Sequence, residues 1–262
     1  MNGERLAGGG VNEVVRIGAT VRRPAGPHTP AVHALLGHLA GKGYPGAPRA
    51  HGFDDEGREI LDFMPGEVAH YPLPGYVVAD AGLTAAARLI RDLHDATEGF
   101  STAPGAVWML PPREPAEVIC HGDLAPYNCV YVAERPVAFI DFDTAHPGPR
   151  VWDFAYAAYR FVPLTDPGGP EGSAETGEQA RRLRVFADAY GLSAGDREVL
   201  AAAVVARLET MVAFMRGRAA DGDAAFASHI EQGHDRLYLG DIDYIGAVAP
   251  VLTAALLAPD KP

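Results

Sequence analysis

The sequence predicts an α+β protein of two lobes: a small antiparallel, β-rich lobe over residues 1–66 and a larger, mainly helical lobe over residues 67–262. Three observations predict it. The chain has 262 residues, 48% of them hydrophobic, enough for a real core and for two lobes sharing an interface. Short β-like runs separated by glycine and proline turns crowd the first 66 residues. After the break at Pro65-Gly66, apolar residues recur mostly at helical spacing.

In order, residues 11–17 and 20–23 read as two strands of a hairpin turning at Gly18-Ala19, with Gly8-Gly9-Gly10 before it and Pro24 ending it. A helix comes next, with Thr29 as N-cap, Pro30 in its first turn, and Val32, Leu35, Leu36 and Leu39 on one face before Gly41. Residues 49–53 and 59–63 flank the polar turn Asp54-Asp55-Glu56-Gly57 as strands. Beyond the break, residues 84–98 form a helix, and strands over 117–119 and 130–133 bracket the stretch His121 to Asn128. A turn at Glu134-Arg135-Pro136 leads into a strand over 137–140 that ends on Asp141. Helices are expected over 151–162, 178–190, 196–215 and 224–238, with Gly191 and Ser193 as stop and start signals. The Pro/Gly/Ser-rich residues 165–177 read as a loop.

Charge and composition exclude several classes. Residues 1–66 balance seven basic against seven acidic groups, so the whole net charge of −12 lies in residues 67–262. That balance disfavours nucleic acid and anionic membrane surfaces as partners and suits a cationic ligand in the second lobe. No apolar run reaches the roughly 18–20 residues of a bilayer span, and the start of the chain lacks the pattern of a secretory signal. With only Cys120 and Cys129, no disulfide framework is expected, and the small thiols suit strand cores in a reducing cytoplasm. No His/Cys cluster has zinc spacing, and His94 falls on an apolar helix face as a core histidine.

The chemistry concentrates in His121-Gly122-Asp123-Leu124-Ala125-Pro126-Tyr127-Asn128, with Ile140-Asp141-Phe142-Asp143 a short way downstream. Asp123, Asn128 and Asp141 are two carboxylates and an amide at the ends of adjoining short strands. Such oxygen donors suit Mg²⁺, which keeps several waters and bridges to phosphates. Turn-capping alone does not account for both motifs together.

These motifs resemble the aminoglycoside phosphotransferase and choline-kinase-like branch of the protein-kinase-like superfamily, whose catalytic loop reads H-G-D-x-x-x-x-N and whose metal-binding Asp opens a D-F-D/E step. The order of elements agrees from about Gly8 to Tyr238. The resemblance implies that Asp123 is the catalytic base, that Asn128 and Asp141 hold Mg²⁺, that Asp143 assists a second ion, and that Asp153 braces the catalytic loop from a helix start. It also implies that residues 59–66 join the lobes and read a nucleotide base through the Asp62 carbonyl and the Met64 amide, with Gly8-Gly9-Gly10 approaching the phosphates.

One part of the pattern is missing. The family carries a phosphate-gripping lysine on the strand matching Thr20-Val21-Arg22-Arg23 and a glutamate on the next helix. Here the strand has no lysine, Lys42 lies beyond the helix, and the helix offers Val32 and His33. Arg22 and Arg23 are the candidates for that charge. Strand alternation puts them on opposite faces, so one of them points into the site, with Arg23 preferred.

The resulting expectation is a small-molecule phosphotransferase. It moves the γ-phosphate of ATP or GTP, with Mg²⁺, to a hydroxyl of an aminoglycoside-like or other polyhydroxylated or cationic acceptor. The alternatives are a nucleotide-binding module without turnover, in the manner of a pseudokinase, and a metal-dependent phosphohydrolase on the same oxygen ligands.

Overall fold

The computed structural model describes residues 3–6, 14–169 and 174–259. The Gly8-Gly9-Gly10 run lies outside them. Five strands form the first sheet, all pairs antiparallel, in the order β1-β2-β3-β5-β4: β1 (Glu4–Arg5), β2 (Val15–Ile17), β3 (Thr20–Arg23), β4 (Ala50–Phe53) and β5 (Glu59–Asp62). Between β3 and β4 runs α1 (Thr29–Gly41), which buries Val32, Leu35, Leu36 and Leu39 at 1% exposure each. These four lie at helical spacing, and each buried side chain contributes about 1.5–3 kcal/mol. His28 holds the cap position and Thr29 begins the helix, its hydroxyl accepting from the Gly26 amide. The threonine expected as N-cap therefore ties the preceding turn.

Next come β6 (Glu67–Val68), the short α2 (Gly75–Val78) and α3 (Asp80–Thr97). Then β7 (Val118–Cys120), β8 (Cys129–Val132), β9 (Arg135–Phe139) and β10 (His146–Gly148) form two small antiparallel sheets, β6-β8-β9 and β10-β7. Five helices complete the chain: α4 (Arg150–Phe161), α5 (Thr176–Tyr190), α6 (Ala194–Ala220), α7 (Ala224–Glu231) and α8 (His234–Leu257).

The chain packs as two compact units. One runs to Ala69 and resumes over Leu89–Arg150; the other comprises His70–Arg88 and the chain from Val151. Strands β7, β8 and β9 thus pack with the N-terminal sheet, and Phe139 donates its amide to the Gly46 carbonyl. This grouping by packing cuts differently from the division at residue 66 drawn from composition and spacing. In the second unit α4 is buried nearly throughout, Asp153 included, and Phe154 stacks on Phe186 with ring centroids 5.0 Å apart.

The helix expected over 224–238 is two helices. Gly233 adopts φ +82° and separates α7 from α8, which then continues through Pro250. With that extension α8 is long and apolar enough, by length and composition, to cross a membrane. It also carries Asp235, Asp241 and Asp243 and packs on α5 and α6.

Candidate active site

The site is built where β7, β8 and β9 end. Gly122 adopts φ +84°, and a Cβ there would run into the Thr144 carbonyl. Only glycine lets the chain leave β7 at this angle. His121, buried at 1% exposure, pins the loop that begins there: its Nε2 lies 3.0 Å from the Ile140 carbonyl, and its Nδ1 accepts the Asp123 amide at 3.2 Å. Nε2 must therefore carry the proton, and one neutral imidazole ties the Asp123 loop to the residue before Asp141.

Asp123 receives hydrogen bonds on both carboxylate oxygens. Tyr127 donates its hydroxyl to Oδ1 at 2.8 Å, and the Asn128 amide nitrogen donates to Oδ2 at 2.7 Å. The same nitrogen reaches the Asp123 carbonyl, so the Asn128 side-chain oxygen is the atom left as an acceptor. A 3-10 turn, Pro126–Asn128, presents these groups, and the Ile140 amide bonds the Asn128 carbonyl. Sheet register thus places Asn128 opposite Ile140, the residue before Asp141.

Asp141 sits in the left-handed region, φ +66° and ψ +65°, just before the 3-10 turn Phe142–Thr144. A non-glycine residue held there stores strain of order 1–3 kcal/mol, and aspartate is among the few that tolerate it. Displacement of water by surrounding protein raises the carboxyl of Asp141 above its ordinary range, although half of the side chain remains exposed. Arg23 opposes that rise, while Asp143 and Asp123 add to it.

Arg23 settles which arginine enters the site. Its side chain is buried, Nη1 donates to Asp141 Oδ1 at 2.7 Å, Nη2 donates to Asp143 Oδ1, and Nε makes an ion-pair contact with Glu59 Oε1. Burial alone would lower the Arg23 pKa, yet the charges of Asp141, Asp143 and Glu59 outweigh it and hold the guanidinium charged well beyond its usual range. Burial likewise pushes Asp143 up, but His28 and Arg23 overcome it and its carboxyl lies below the ordinary value. Arg22 takes the opposite face, donating to Thr20 Oγ1 at 2.7 Å and lying 3.8 Å from Asp54.

Asp62 ends β5 with its carboxylate held by His51 Nε2 at 2.7 Å and by the Arg49 amide. Met64 comes two residues later, on the chain towards Gly66. Neither is brought to the Asp123 cluster by any of these bonds. Sequence reasoning misses Glu59 and the histidine that holds it. Glu59 is 1% exposed, and its second oxygen lies 2.9 Å from His33 Nε2 on α1.

Three carboxylates, those of Glu59, Asp141 and Asp143, thus surround one guanidinium, and Asp123 adds its charge beside Asp141. The surplus negative charge and the oxygen donors of Asn128 and Asp141 fit a hard divalent cation such as Mg²⁺. Among the described residues no group of three or more His, Cys, Asp or Glu side chains forms a metal cage. Both cysteines are buried thiols, and burial pushes Cys129 up to about 12, which makes it unreactive.

Residues 102–203 match the model of the phosphotransferase enzyme family. The trifolitoxin immunity protein of Rhizobium leguminosarum bv. trifolii is 34% identical over 200 residues, 73% of this chain and 75% of that one. The chain belongs to the phosphotransferase enzyme family. Among solved structures, a choline/ethanolamine kinase family protein from Mesorhizobium loti matches this phosphotransferase with a TM-score of 0.63 at 16% identity, covering 98% of this chain and 93% of the other. The aminoglycoside 2'-phosphotransferase-IIIa in its GDP complex matches with a TM-score of 0.59 at 13% identity, covering 93% of each chain. The fold of the phosphotransferase is accordingly kinase-like: an antiparallel sheet followed by a mainly helical part.

Proposed function

We propose that this phosphotransferase moves the γ-phosphate of ATP or GTP to a hydroxyl of a polyhydroxylated or cationic small molecule of the aminoglycoside type. The observation that supports the reading is Asp141 held by the Arg23 guanidinium and under the charge of Asp123, whose carboxylate Asn128 holds. Residues 1–66 supply the nucleotide site and residues 67–262 the catalytic loop and acceptor site. Arg23 takes the role of phosphate-binding cation, and Asp62 and Met64 read the base through their backbone. Arg22, turned to Thr20 and Asp54, is left to the sheet surface.

Transfer of a phosphoryl group passes through a loose transition state that needs alignment and charge neutralisation more than covalent chemistry. Asp123 supplies the alignment. With Tyr127 and Asn128 fixing its two oxygens, it orients the acceptor hydroxyl and takes its proton as the bond to phosphorus forms. An ordinary carboxylate is too weak a base to remove that proton beforehand. Mg²⁺, when held by Asn128 and Asp141, supplies neutralisation of the triphosphate charge. Arg23 adds a second positive charge beside it, in a fork suited to phosphate oxygens.

The excess of acidic groups after residue 66 supports a cationic acceptor. The relative named for immunity to trifolitoxin supports a protective role against an antibiotic or toxin. The two buried thiols support a cytoplasmic setting. The test is release of ADP or GDP with Mg²⁺ over a panel of hydroxylated acceptors. Asp123→Ala is expected to lower turnover by about 10²–10⁴-fold while nucleotide affinity stays within about threefold. Tight nucleotide binding with no release on any acceptor would instead make the protein a binding module.

A further inference from the structure

We propose that Glu59 is the positioning residue for Arg23, and that it fixes the guanidinium through sheet register, with His33 as its anchor to α1. The inference rests on the reading of Arg23 as the phosphate-binding cation.

Arg23 and Glu59 are cross-strand partners, directly opposite each other in the β3–β5 ladder. Their side chains are buried to 8% and 1% exposure, so neither charge is stabilised by bulk water and each depends on the partners it has here. The three guanidinium nitrogens divide their work. The two terminal nitrogens go to Asp141 and Asp143, and Nε, at the root of the fork, meets Glu59. Phosphate oxygens approaching the site would meet the terminal nitrogens, which can exchange a carboxylate for a phosphate. The contact at Nε is an ion pair without a hydrogen bond, so what Glu59 supplies is its buried charge, which persists through that exchange.

Glu59 is itself held on both oxygens. Oε1 faces Arg23, Oε2 lies 2.9 Å from His33 Nε2, and the His33 ring stacks on Phe53 of β4 at 5.0 Å between centroids. Three elements therefore fix one carboxylate: β3 through Arg23, α1 through His33, and β4 through the ring beneath the histidine. Because β3 and β5 belong to one hydrogen-bonded sheet, the ladder sets the aim of the guanidinium, and His33 adds the hold of α1 on Glu59. Glu59 touches no reacting group in this arrangement, and its effect passes through Arg23 alone.

The experiment is a double-mutant cycle, read as dissociation constants for ATP and for GTP with Mg²⁺ and no acceptor present, alongside kcat and KM. Glu59→Gln keeps the side-chain volume and removes the charge. It is expected to weaken nucleotide binding about tenfold, with the loss in KM and kcat changed by less than about threefold. Arg23→Met is expected to weaken binding at least as much. In the Arg23→Met background, Glu59→Gln should then cost nothing further. A Glu59→Gln penalty of the same size in both backgrounds, or no penalty in either, overturns the inference while leaving Arg23 as the phosphate ligand. Wild-type affinity in Arg23→Met removes the role of Arg23 itself, and the inference with it.

A second pair of variants keeps the test independent of how Glu59→Gln folds. His33→Leu is expected to weaken nucleotide binding about threefold, and His33→Gln, which retains a donor for Glu59, to restore it. Equal affinities for the two histidine variants contradict the anchor.

Discussion

At residue scale, Arg23 decides how the site is charged. Lysine offers a compact point charge, whereas the guanidinium offers five donors in a plane and meets Asp141, Asp143 and Glu59 together. A lysine ammonium would present its donors from a single atom and lacks the planar fork that reaches Asp141 and Asp143 through two separate nitrogens. The same economy governs Gly122, where φ +84° and the Thr144 carbonyl exclude a side chain. Gly122→Ala is expected to lower stability by about 1–3 kcal/mol and to displace Asp123, with both thermal unfolding and turnover reporting the change. An alanine variant with unchanged melting temperature and unchanged turnover would show that the turn tolerates a Cβ. Asp123, Asn128 and Asp141 are readable in the sequence because the two motifs that carry them are nearly contiguous and sheet register joins them locally. Glu59 is not, since its role comes from a ladder pairing with Arg23, 36 residues earlier, and from His33 on an intervening helix. An acidic residue opening a strand, on the face of the apolar Leu61, is the available signal.

At the scale of elements, caps set the boundaries. Ser193 accepts the Asp196 amide at 3.1 Å and starts α6, while Gly191 in the left-handed conformation ends α5. Both signals are visible in the sequence. Ser193→Ala is expected to cost about 1 kcal/mol, seen as a lower melting temperature with unchanged nucleotide affinity. An unaltered melting temperature would mean that the cap bond carries no net stability. The division of α7 from α8 is not legible in the sequence because the apolar spacing continues across Gly233, and glycine inside a helical pattern is tolerated at modest cost. Likewise Pro250 does not end α8, which runs on to Leu257. Tertiary packing against α5 and α6 offsets what proline removes.

At the scale of the molecule, local sequence and long-range assembly divide the work. The sheet-then-helix order, the catalytic loop and the Asp141 step are local and legible. The partner that charges the site is remote: Arg23 meets Asp141 across 118 residues of chain. That contact joins the first sheet to the end of β9 within one packing unit. A composition-based boundary at residue 66 cannot register it. The surplus of carboxylates around Arg23 makes cation binding the property on which the proposed transfer depends. The most direct measurement is calorimetric titration of ATP and of GTP, each with and without Mg²⁺, into the wild-type protein and into Asp141→Asn. Mg²⁺ is expected to tighten nucleotide binding to the wild type at least about tenfold, and this gain is expected to vanish in Asp141→Asn. An equal Mg²⁺-dependent gain in both proteins would contradict a cation held by Asp141.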